Sequence, residues 1–171
     1  MKEKPGIPPP HSEAHMHEVI TRYRTMVYGI ALARVRTRAD ADDVFQEVFL
    51  AYFRGAPAFS EEEHRKAWLI QTTLRCSKKL LFSPFARRKA PLQEADALPV
   101  FDTREDTDLW RALCALPDKY RLPVHLFYFE DMTTRQIAAA LSLSEGSVRV
   151  RLTRGRALLR ETLESMGIHS L

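Results

Sequence analysis

Cysteine is scarce in this chain, and long apolar runs are missing from it. The two cysteines, Cys76 and Cys114, are far apart, and neither has a second cysteine nearby. This excludes a disulfide framework and a zinc-finger spacing, so both are predicted to be buried free thiols. No apolar stretch is long enough to span a bilayer. The basic N-terminus lacks the apolar segment of a secretory signal. We therefore expect a cytoplasmic protein without membrane insertion.

Sequence motifs for catalysis are also missing. The chain has no Gly-rich phosphate loop, nucleophile elbow or metal-binding helix motif. We therefore expect that the protein is not an enzyme and that it has neither catalytic residues nor a cofactor. His11, His15 and His17 could in principle hold a metal, because histidines at i and i+4 meet on a helix. They lie in or beside a proline-rich tail without a matching carboxylate or cysteine set. No metal site is predicted.

Charge is unevenly distributed around a net value of +4. Residues 64–90 contain eight lysines and arginines and no acid, whereas residues 91–118 carry seven acids against two arginines. The C-terminal part is basic again. Two basic blocks separated by an acidic stretch suggest two polyanion-facing surfaces on separate modules.

Apolar residues recur at helical spacing along most of the chain, and nothing alternates with period two. The fold class is therefore predicted to be all-α. In the N-terminal half the pattern predicts helices over about 12–35, 39–54 and 61–82. In the C-terminal half it predicts helices over about 108–117, 120–130, 133–141 and 144–164. Pro123 is expected close enough to its helix's start to be tolerated.

Prolines divide the helices into two groups. Pro84, Pro91 and Pro99 lie in a stretch of mixed polarity, which predicts a linker because proline cannot continue a helix. We expect two small helical domains joined by a flexible linker. The predicted boundaries are a disordered tail over 1–12, an N-terminal domain over 13–84, the linker over 85–105 and a C-terminal domain over 106–171.

The last two predicted helices form a helix-turn-helix pattern. Thr133 and Gln136 make a capping box, and Ser144 is a plausible N-cap for the final helix. In such a unit the second helix enters the major groove of DNA, with its N-terminal residues nearest the bases. An apolar stripe in that helix is flanked by arginines on both sides. The stripe is Val148, Leu152, Gly155, Leu159 and Leu163, and the arginines are Arg149, Arg151, Arg154, Arg156 and Arg160.

The second predicted helix has a polar, partly acidic face. Asp43, Gln46 and Glu47 fall at i, i+3 and i+4 and therefore project together. Such a cluster usually lies on a side of the helix that faces solvent. The alternative interpretation is that these residues form a binding face.

Three segments resemble a known family. "MTTRQIAAALSLSEGSVRVRLTRGRALLR" resembles the promoter-recognising domain of bacterial RNA polymerase sigma factors of the extracytoplasmic-function group. "ADADDVFQEVFLAYFR" resembles the polymerase-docking helix of that group, and "RKAWLIQTTLR" resembles the segment after it. The order and spacing also agree, so the resemblance covers about residues 15–165.

The resemblance implies partners and roles for particular residues. Docking on a coiled coil of the largest subunit of core RNA polymerase would use Asp43, Gln46, Glu47 and Leu50. Recognition of the −10 promoter element would use Arg65, Lys66, Trp68, Gln71, Arg75, Lys78 and Lys79. Recognition of the −35 element would use Ser144, Ser147, Arg149, Arg151 and Arg154. Trp68 is expected to be a core anchor rather than a stacking surface, because it shares the apolar side with Leu69 and Thr72.

Further expectations follow from the same resemblance. The C-terminal domain would lie near the second-largest polymerase subunit, and an anti-sigma factor is a possible partner. The acidic residues Asp102, Glu105, Asp106 and Asp108 agree only loosely with a linker that runs towards the RNA exit path. Many relatives have asparagine at the position of Arg75. The −10 sequence that those relatives recognise is therefore not assigned to this chain.

One other class of protein fits the helix-turn-helix pattern. A dimeric transcriptional regulator would bind duplex DNA on its own, at specific affinities of roughly 10⁻⁸ to 10⁻¹¹ M. Such a regulator would not need the polar face around Asp43, Gln46 and Glu47. A sigma factor would bind promoter duplex poorly until polymerase joined its two DNA-binding modules.

Overall fold

The computed structural model describes residues 12–35, 37–84 and 104–169. Within these ranges the chain is helical and contains no strand, which confirms the predicted all-α class. The helices are α1 (Glu13–Arg34), α2 (Arg38–Gly55), α3 (Glu62–Leu81), α4 (Arg104–Ala115), α5 (Asp118–Tyr128), α6 (Thr134–Leu141) and α7 (Glu145–Ser165).

Helices α1, α2 and α3 pack against one another as an N-terminal unit. Side-chain caps fix where the first two helices begin. The Ser12 hydroxyl accepts a hydrogen bond from the His15 amide at 3.1 Å, and the Thr37 hydroxyl accepts one from the Asp40 amide at 3.0 Å. Each cap satisfies a backbone N–H that the helix itself cannot pair. All three helices begin and end within a residue or so of the predicted positions.

Helices α4 to α7 form the C-terminal unit, with the Trp110 and Leu113 side chains in its core. Helix α4 begins at Arg104, inside the stretch that the sequence predicted as linker. The remainder of that stretch, residues 85–103, lies outside the described residues, as do residues 1–11 of the predicted tail. The predicted domain boundaries therefore remain predictions.

Helix α5 differs from the prediction at its start. It begins at Asp118, and the Pro117 carbonyl accepts hydrogen bonds from the Tyr120 and Arg121 amides at 2.9 and 3.0 Å. Pro123 therefore lies inside the helix rather than near its first turn. Proline there removes one backbone hydrogen bond. Its neighbours Leu122 and Val124 are buried, and packing of this kind supplies most of a helix's stability in a protein.

The two units are in contact through α1 and α5. Five consecutive residues of α1, from Gly29 to Ala33, are all buried. Successive helical residues point in different directions, so this end of α1 is covered on every side. Helices α2, α3 and α5 all pack against α1, and Arg121 and His125 of α5 reach this end of it. The modules that the sequence predicted as separate therefore share one continuous core.

Both cysteines are free and half-buried, where the sequence predicted buried free thiols. Burial raises the pKa of the Cys114 thiol to about 11. Burial, and then the nearby Glu47 carboxylate, also raises the pKa of the Cys76 thiol. Among the described helices, none combines the length and the apolar character needed to cross a bilayer.

Candidate functional site

The outer face of α2 exposes four of the predicted residues together. Asp43, Gln46, Glu47 and Leu50 are all exposed, while Val44, Val48 and Phe49 on the opposite side of the helix are buried. Leu50 is 44% exposed, and it lies next to further exposed apolar surface. This face therefore combines two carboxylates and one amide with an apolar side chain, that of Leu50.

An apolar groove between α1 and α2 continues this face. Its volume is about 670 Å³, and Gln46 and Leu50 belong both to the polar face and to the groove. Phe53 lies at its edge and is 48% exposed. The groove is completed by Met16, Ile20, Phe45, Phe49 and Glu13. The sequence analysis missed Phe53, although it follows Leu50 at the i+3 position. Exposed apolar surface rimmed by polar groups is typical of a protein-binding site.

At its N-terminus, α3 is joined to α1 and α2 by a polar network. The Tyr23 hydroxyl donates to Glu62, and the Arg65 guanidinium donates to the other Glu62 carboxylate oxygen at 2.5 Å. The Arg65 guanidinium also interacts electrostatically with the Tyr52 hydroxyl and lies 5.7 Å from the centre of the Phe59 ring. Its side chain is only 18% exposed. Arg65 is thus engaged in holding three helices together.

The network lowers the pKa of Glu62. Burial by itself would raise that pKa, but hydrogen bonding from Tyr23 and the positive charges of Arg65 and Arg22 outweigh it. The same surroundings raise the pKa of Tyr23, through burial first and through the Glu62 carboxylate second. Glu62 is therefore held as a carboxylate and Tyr23 as a neutral phenol.

Trp68 lies in an aromatic cluster beside this network. Its ring meets Tyr52 edge-on at 5.7 Å between ring centres and Phe59 at 6.1 Å. Edge-on pairs at these distances are the favoured geometry for aromatic side chains. Trp68 is half-buried, and this packing is what the interpretation as a core anchor requires.

The remaining predicted residues of α3 form a basic, exposed surface. Gln71, Arg75, Lys78 and Lys79 are all exposed. Lys78 and Lys79 fall in the last turn, where positive charge complements the negative end of the helix dipole. Arg75 Nη2 lies 3.4 Å from the Thr72 hydroxyl, so the guanidinium stays close to the helix surface.

A cleft of about 550 Å³ separates this basic surface from the C-terminal unit. Gln71, Arg75 and Lys78 line one wall, and Arg151 of α7 lies on the other. The cleft also contains Arg34 and Lys119, with Asp118 as the one acid among its lining residues. Lys66, another predicted residue, donates to the Glu130 carbonyl at 3.2 Å. Residues predicted for two different DNA elements therefore face each other across one cleft.

The helix-turn-helix is formed as predicted. The Thr133 and Gln136 capping box is present at the start of α6. At the end of α6, Ser142 takes a left-handed conformation with φ of 54°, and the Leu143 amide donates to the Ala138 carbonyl at 2.9 Å. This closes the helix and turns the chain sharply. The Ser144 hydroxyl then caps α7 by accepting from the Ser147 amide at 3.1 Å.

Helix α7 has the predicted division between an apolar stripe and a basic surface. Val148, Leu152, Gly155, Leu159 and Leu163 are the buried residues of the helix. Arg149 and Arg154 are exposed, and Arg151 is half-buried against the cleft. Val150 was missed by the sequence analysis, yet its side chain is 50% exposed beside Arg149.

Glu145 fixes the position of Arg149. Its carboxylate accepts from the Thr134 hydroxyl at 2.8 Å and from the Arg149 guanidinium at 2.7 Å. Hydrogen bonding from Thr134, together with the charge of Arg149, lowers the pKa of Glu145. Glu145 was not among the predicted site residues. Its partner in α6 could not be inferred from helical spacing alone.

A second groove lies on the C-terminal unit, away from the cleft. It has a volume of about 840 Å³ between α4, α5 and α7, and Arg156 and Arg160 stand among its lining residues. Its apolar lining includes Leu109, Leu113, Val124, Phe129, Leu159 and Leu163. This surface combines apolar and cationic groups, as protein-binding sites do.

The histidine cluster is divided between different environments. His15 is buried, and its Nε2 lies 3.0 Å from the Tyr52 hydroxyl, whereas His17 is exposed. His11 lies outside the described residues. In the described ranges, no group of three or more histidine, cysteine, aspartate or glutamate side chains is placed to hold a metal ion.

Two family models match the chain, one to each unit. The model of "Sigma-70 region 2" matches residues 19–83, which include α2 and α3. The model of "Sigma-70, region 4" matches residues 106–159, which include the helix-turn-helix. The two matches follow one another in the order that the sequence analysis expected.

Similar proteins carry corresponding names. The probable RNA polymerase sigma factor RfaY of Xanthomonas campestris is 29% identical over 90% of this chain and 42% of its own length. The ECF RNA polymerase sigma factor SigE of Mycolicibacterium smegmatis is 29% identical over 85% of this chain and 60% of its own length. SigM of Mycobacterium tuberculosis, also named an ECF sigma factor, is 29% identical over 85% of this chain and 76% of its own length. The chain thus spans less than two thirds of the first two relatives.

Two solved structures have a similar fold. The sigma factor RpoE in complex with the anti-sigma factor NepR from Bartonella quintana gives a TM-score of 0.67 at 17% identity, covering 86% of this chain and 96% of that one. CnrH in complex with the cytosolic domain of CnrY gives a TM-score of 0.60 at 22% identity, covering 90% of each chain. Family models, named relatives and fold agree, and the chain belongs to the extracytoplasmic-function group of the sigma-70 family.

Proposed function

We propose that this chain binds core RNA polymerase and directs it to promoters by recognising their −10 and −35 elements. The observation that carries the proposal is a combination within one chain. An exposed acidic face with an adjoining apolar groove lies on α2, and separate basic surfaces lie on α3 and α7. A protein that must hold both an enzyme and two DNA segments needs these three surfaces.

The α2 face is the proposed docking site for the coiled coil of the largest polymerase subunit. Asp43 and Glu47 would attract basic residues and orient the encounter, an effect that acts mainly on the association rate. Leu50 and the adjoining groove would supply apolar area that loses contact with water on binding. Phe53 is added to the proposed site because it borders the same groove.

Helix α3 is the proposed surface for the −10 element. An opened DNA strand needs cations along its backbone and surfaces for unstacked bases. Gln71, Arg75, Lys78 and Lys79 are exposed and can meet the strand directly. Lys66 becomes available when its bond to the Glu130 carbonyl is broken. Arg65 and Trp68 are assigned a structural role, because their contacts hold α3 in place.

Helix α7 is the proposed surface for the −35 element. Its N-terminal end, capped by Ser144, would enter the major groove, with Ser147, Arg149, Arg151 and Arg154 as the polar contacts. Arginine donating two hydrogen bonds to guanine is the commonest specific contact in that groove. Val150 would add an apolar contact to a thymine methyl group.

The remaining partners are each proposed from a single observation. The groove between α4, α5 and α7 is the surface suited to the second-largest polymerase subunit, because it combines apolar and cationic groups and lies apart from the α7 N-terminus. An anti-sigma factor is a candidate partner because RpoE of Bartonella quintana was solved with one. A protein acting on polymerase and DNA would work in the cytoplasm as an initiation factor and not as an enzyme.

A dimeric regulator that binds DNA alone is the competing class. It would account for the helix-turn-helix but not for the acidic face of α2 or the match to region 2. A direct test compares promoter binding with and without core polymerase, using genomic DNA fragments selected by the complex. We expect stable binding only in the presence of polymerase, because linkage of the two modules raises their effective concentration. Equal binding without polymerase would favour the regulator.

A further inference from the structure

The Glu145 carboxylate makes both of its hydrogen bonds to Thr134 and Arg149 through the same oxygen. Its Oε1 accepts the Thr134 hydroxyl at 2.8 Å and the Arg149 guanidinium at 2.7 Å. An ionised carboxylate has about four acceptor positions on its two oxygens, so these two bonds leave Oε2 as a further acceptor. The Glu145 side chain is 40% exposed, and the acceptor is therefore within reach of a ligand outside the protein.

Glu145 also places a negative charge at the end of α7 that is proposed to enter the major groove. It lies in the first turn of the helix, where the helix dipole favours an anion. Hydrogen bonding from Thr134, and then the charge of Arg149, lowers the pKa of Glu145, so the side chain is ionised at neutral pH. This charge repels a DNA phosphate from the position that phosphates often take at a helix N-terminus. The carboxylate is therefore suited to a hydrogen-bond donor on a base.

Few base edges in the major groove can donate to a carboxylate. Cytosine N4 and adenine N6 carry donors there, whereas guanine O6 and N7 and thymine O4 are acceptors. Cytosine N4 is the usual partner of glutamate and aspartate in that groove. Thymine gives the sharpest contrast with cytosine, because O4 replaces N4 on the same ring atom and turns the donor into an acceptor.

Arg149 and Glu145 are placed to contact neighbouring base pairs. They are four residues apart, about 6 Å along the helix axis, and residues of a recognition helix at similar spacing contact successive bases. Their side chains meet at 2.7 Å, which is shorter than the distance of about 3.4 Å between stacked base pairs. Arginine matches guanine, and the carboxylate matches cytosine in the adjacent pair.

We propose that Glu145 is a specificity-determining residue that selects a cytosine next to the guanine bound by Arg149 in the −35 element. This rests on the proposed function, because it concerns base recognition by the same helix. Thr134 is the positioning residue, since its hydroxyl holds the carboxylate from α6. The negative charge also disfavours other sequences. A thymine at the same place brings O4 against an ionised oxygen, and such a repulsive contact contributes to specificity.

Glu145→Gln changes the chemistry of the proposed contact and keeps the shape of the side chain. The amide oxygen can still accept from Thr134 and Arg149, and the amide nitrogen then stands in place of Oε2 as a donor. Thymine O4 becomes a better partner than cytosine N4. Glu161→Gln is the matched control, because Glu161 is an exposed acid of α7 about 24 Å further along the helix axis. It lines neither the cleft nor either groove.

The test uses core polymerase reconstituted with the full-length chain and promoter fragments whose −35 element is randomised. Bound fragments are selected and sequenced. We expect the wild type to favour cytosine over thymine about tenfold at one position adjacent to a preferred guanine. Glu145→Gln should abolish or reverse that ratio and keep the preference for guanine. Thr134→Val should reduce the ratio without changing the preferred base, and Glu161→Gln should select as the wild type does.

Two results would overturn the role of Glu145 while leaving the proposed function in place. The same base preferences for wild type and Glu145→Gln at every −35 position would mean that Glu145 contacts no base. A Glu145→Gln protein that lost only the preference for guanine would show that Glu145 supports Arg149 and reads no base itself. In both cases the holoenzyme still enriches a −35 sequence. An absence of any enriched sequence with the wild type would instead remove the sigma-factor assignment, and the role of Glu145 with it.

Discussion

The Arg149 guanidinium lies 2.7 Å from the Glu145 carboxylate, one helical turn before it in α7. The same carboxylate oxygen accepts the Thr134 hydroxyl of α6 at 2.8 Å. Thr134 of α6 therefore helps to hold the Glu145 carboxylate that orients the arginine at the exposed end of α7. A pre-oriented arginine loses less conformational freedom when it binds a base or a phosphate.

Replacement of Arg149 by alanine should weaken recognition of the −35 element. If Arg149 donates to a guanine, the holoenzyme should lose about 1–3 kcal/mol of discrimination between intact and scrambled −35 sequences, or about 5-fold to 150-fold. Competition binding with the two promoter fragments measures this ratio. If Arg149 contacts only a phosphate, binding should weaken equally on both fragments and the salt slope should fall by about one.

Arg111→Ala is the matched control for that experiment. Arg111 is an exposed arginine of α4, in the same unit, and it lines neither the cleft nor either groove. It should leave the ratio between intact and scrambled fragments unchanged. An Arg149→Ala protein that kept both its sequence preference and its salt slope would exclude Arg149 from the DNA contact.

Charge reversal on α2 should weaken binding to core polymerase. The double substitution Asp43→Arg and Glu47→Arg places like charge opposite a basic partner, and we expect at least about tenfold lower affinity by fluorescence anisotropy with labelled protein. Both side chains are exposed, so the free energy of unfolding should change by no more than about 0.5 kcal/mol.

The matched control reverses two exposed acids elsewhere in the N-terminal unit, Glu18→Arg and Glu63→Arg. It changes net charge by the same amount and should bind polymerase as the wild type does. If both double variants lose affinity equally, net charge rather than the α2 face governs the interaction. Undiminished binding of the Asp43 and Glu47 variant would remove the docking assignment.

The Glu62 network should make stability depend on pH in the acid range. The pKa of Glu62 is lowered in the folded chain, so its contribution to stability is complete above the ordinary glutamate pKa, about 4.3. That contribution is lost as the pH falls through the lowered value, because the unfolded state then binds the proton more readily. Urea unfolding of wild type and Glu62→Gln, measured between about pH 6 and pH 3, should show a shallower pH dependence in the variant.

The Glu62 variant requires a control because other carboxylates also titrate in this range. Glu63→Gln changes the exposed neighbour on the same turn and should retain the wild-type pH dependence. Identical pH profiles for wild type and Glu62→Gln would mean that the contacts from Tyr23, Arg65 and Arg22 do not stabilise the ionised form in solution.

Cys114 should react slowly with thiol reagents. Its pKa is raised to about 11, so at pH 8.5 only about 0.3% is thiolate, against about half for an unperturbed cysteine. Labelling of a Cys76→Ser protein with a thiol reagent at pH 8.5 should be at least a hundredfold slower in the folded state than in urea. Equal rates in the two states would show that Cys114 is not protected by the fold.

Local patterns were sufficient to predict the helices and the separation of their faces. The stripe from Val148 to Leu163 repeats at helical spacing, and its members are buried. The caps at Thr133 and Ser144 depend on residues three positions away, so they too could be inferred from sequence. The exposed positions of Asp43, Gln46 and Glu47 follow from the same spacing.

Contacts between distant segments could not be predicted in the same way. Arg65 was assigned to DNA by its charge, but its partner Glu62 also accepts from Tyr23 of α1, and Tyr52 of α2 lies close enough to interact with the guanidinium. The approach of Gly29 to His125 joins two units that the sequence predicted as separate modules. One sign of that approach is present in the sequence. The run "GIALA" in α1 has no polar position, so it leaves no side of the helix suited to water.

Transcription with purified core polymerase tests the central claim most directly. The full-length chain is mixed with bacterial core polymerase and genomic DNA, and the 5′ ends of the transcripts are mapped, with the Asp43→Arg and Glu47→Arg protein in parallel. We predict defined start sites that share −10 and −35 sequences and that are lost with the variant. An absence of new start sites, combined with tight binding of duplex DNA by the chain alone, would contradict the account and identify an independent transcriptional regulator.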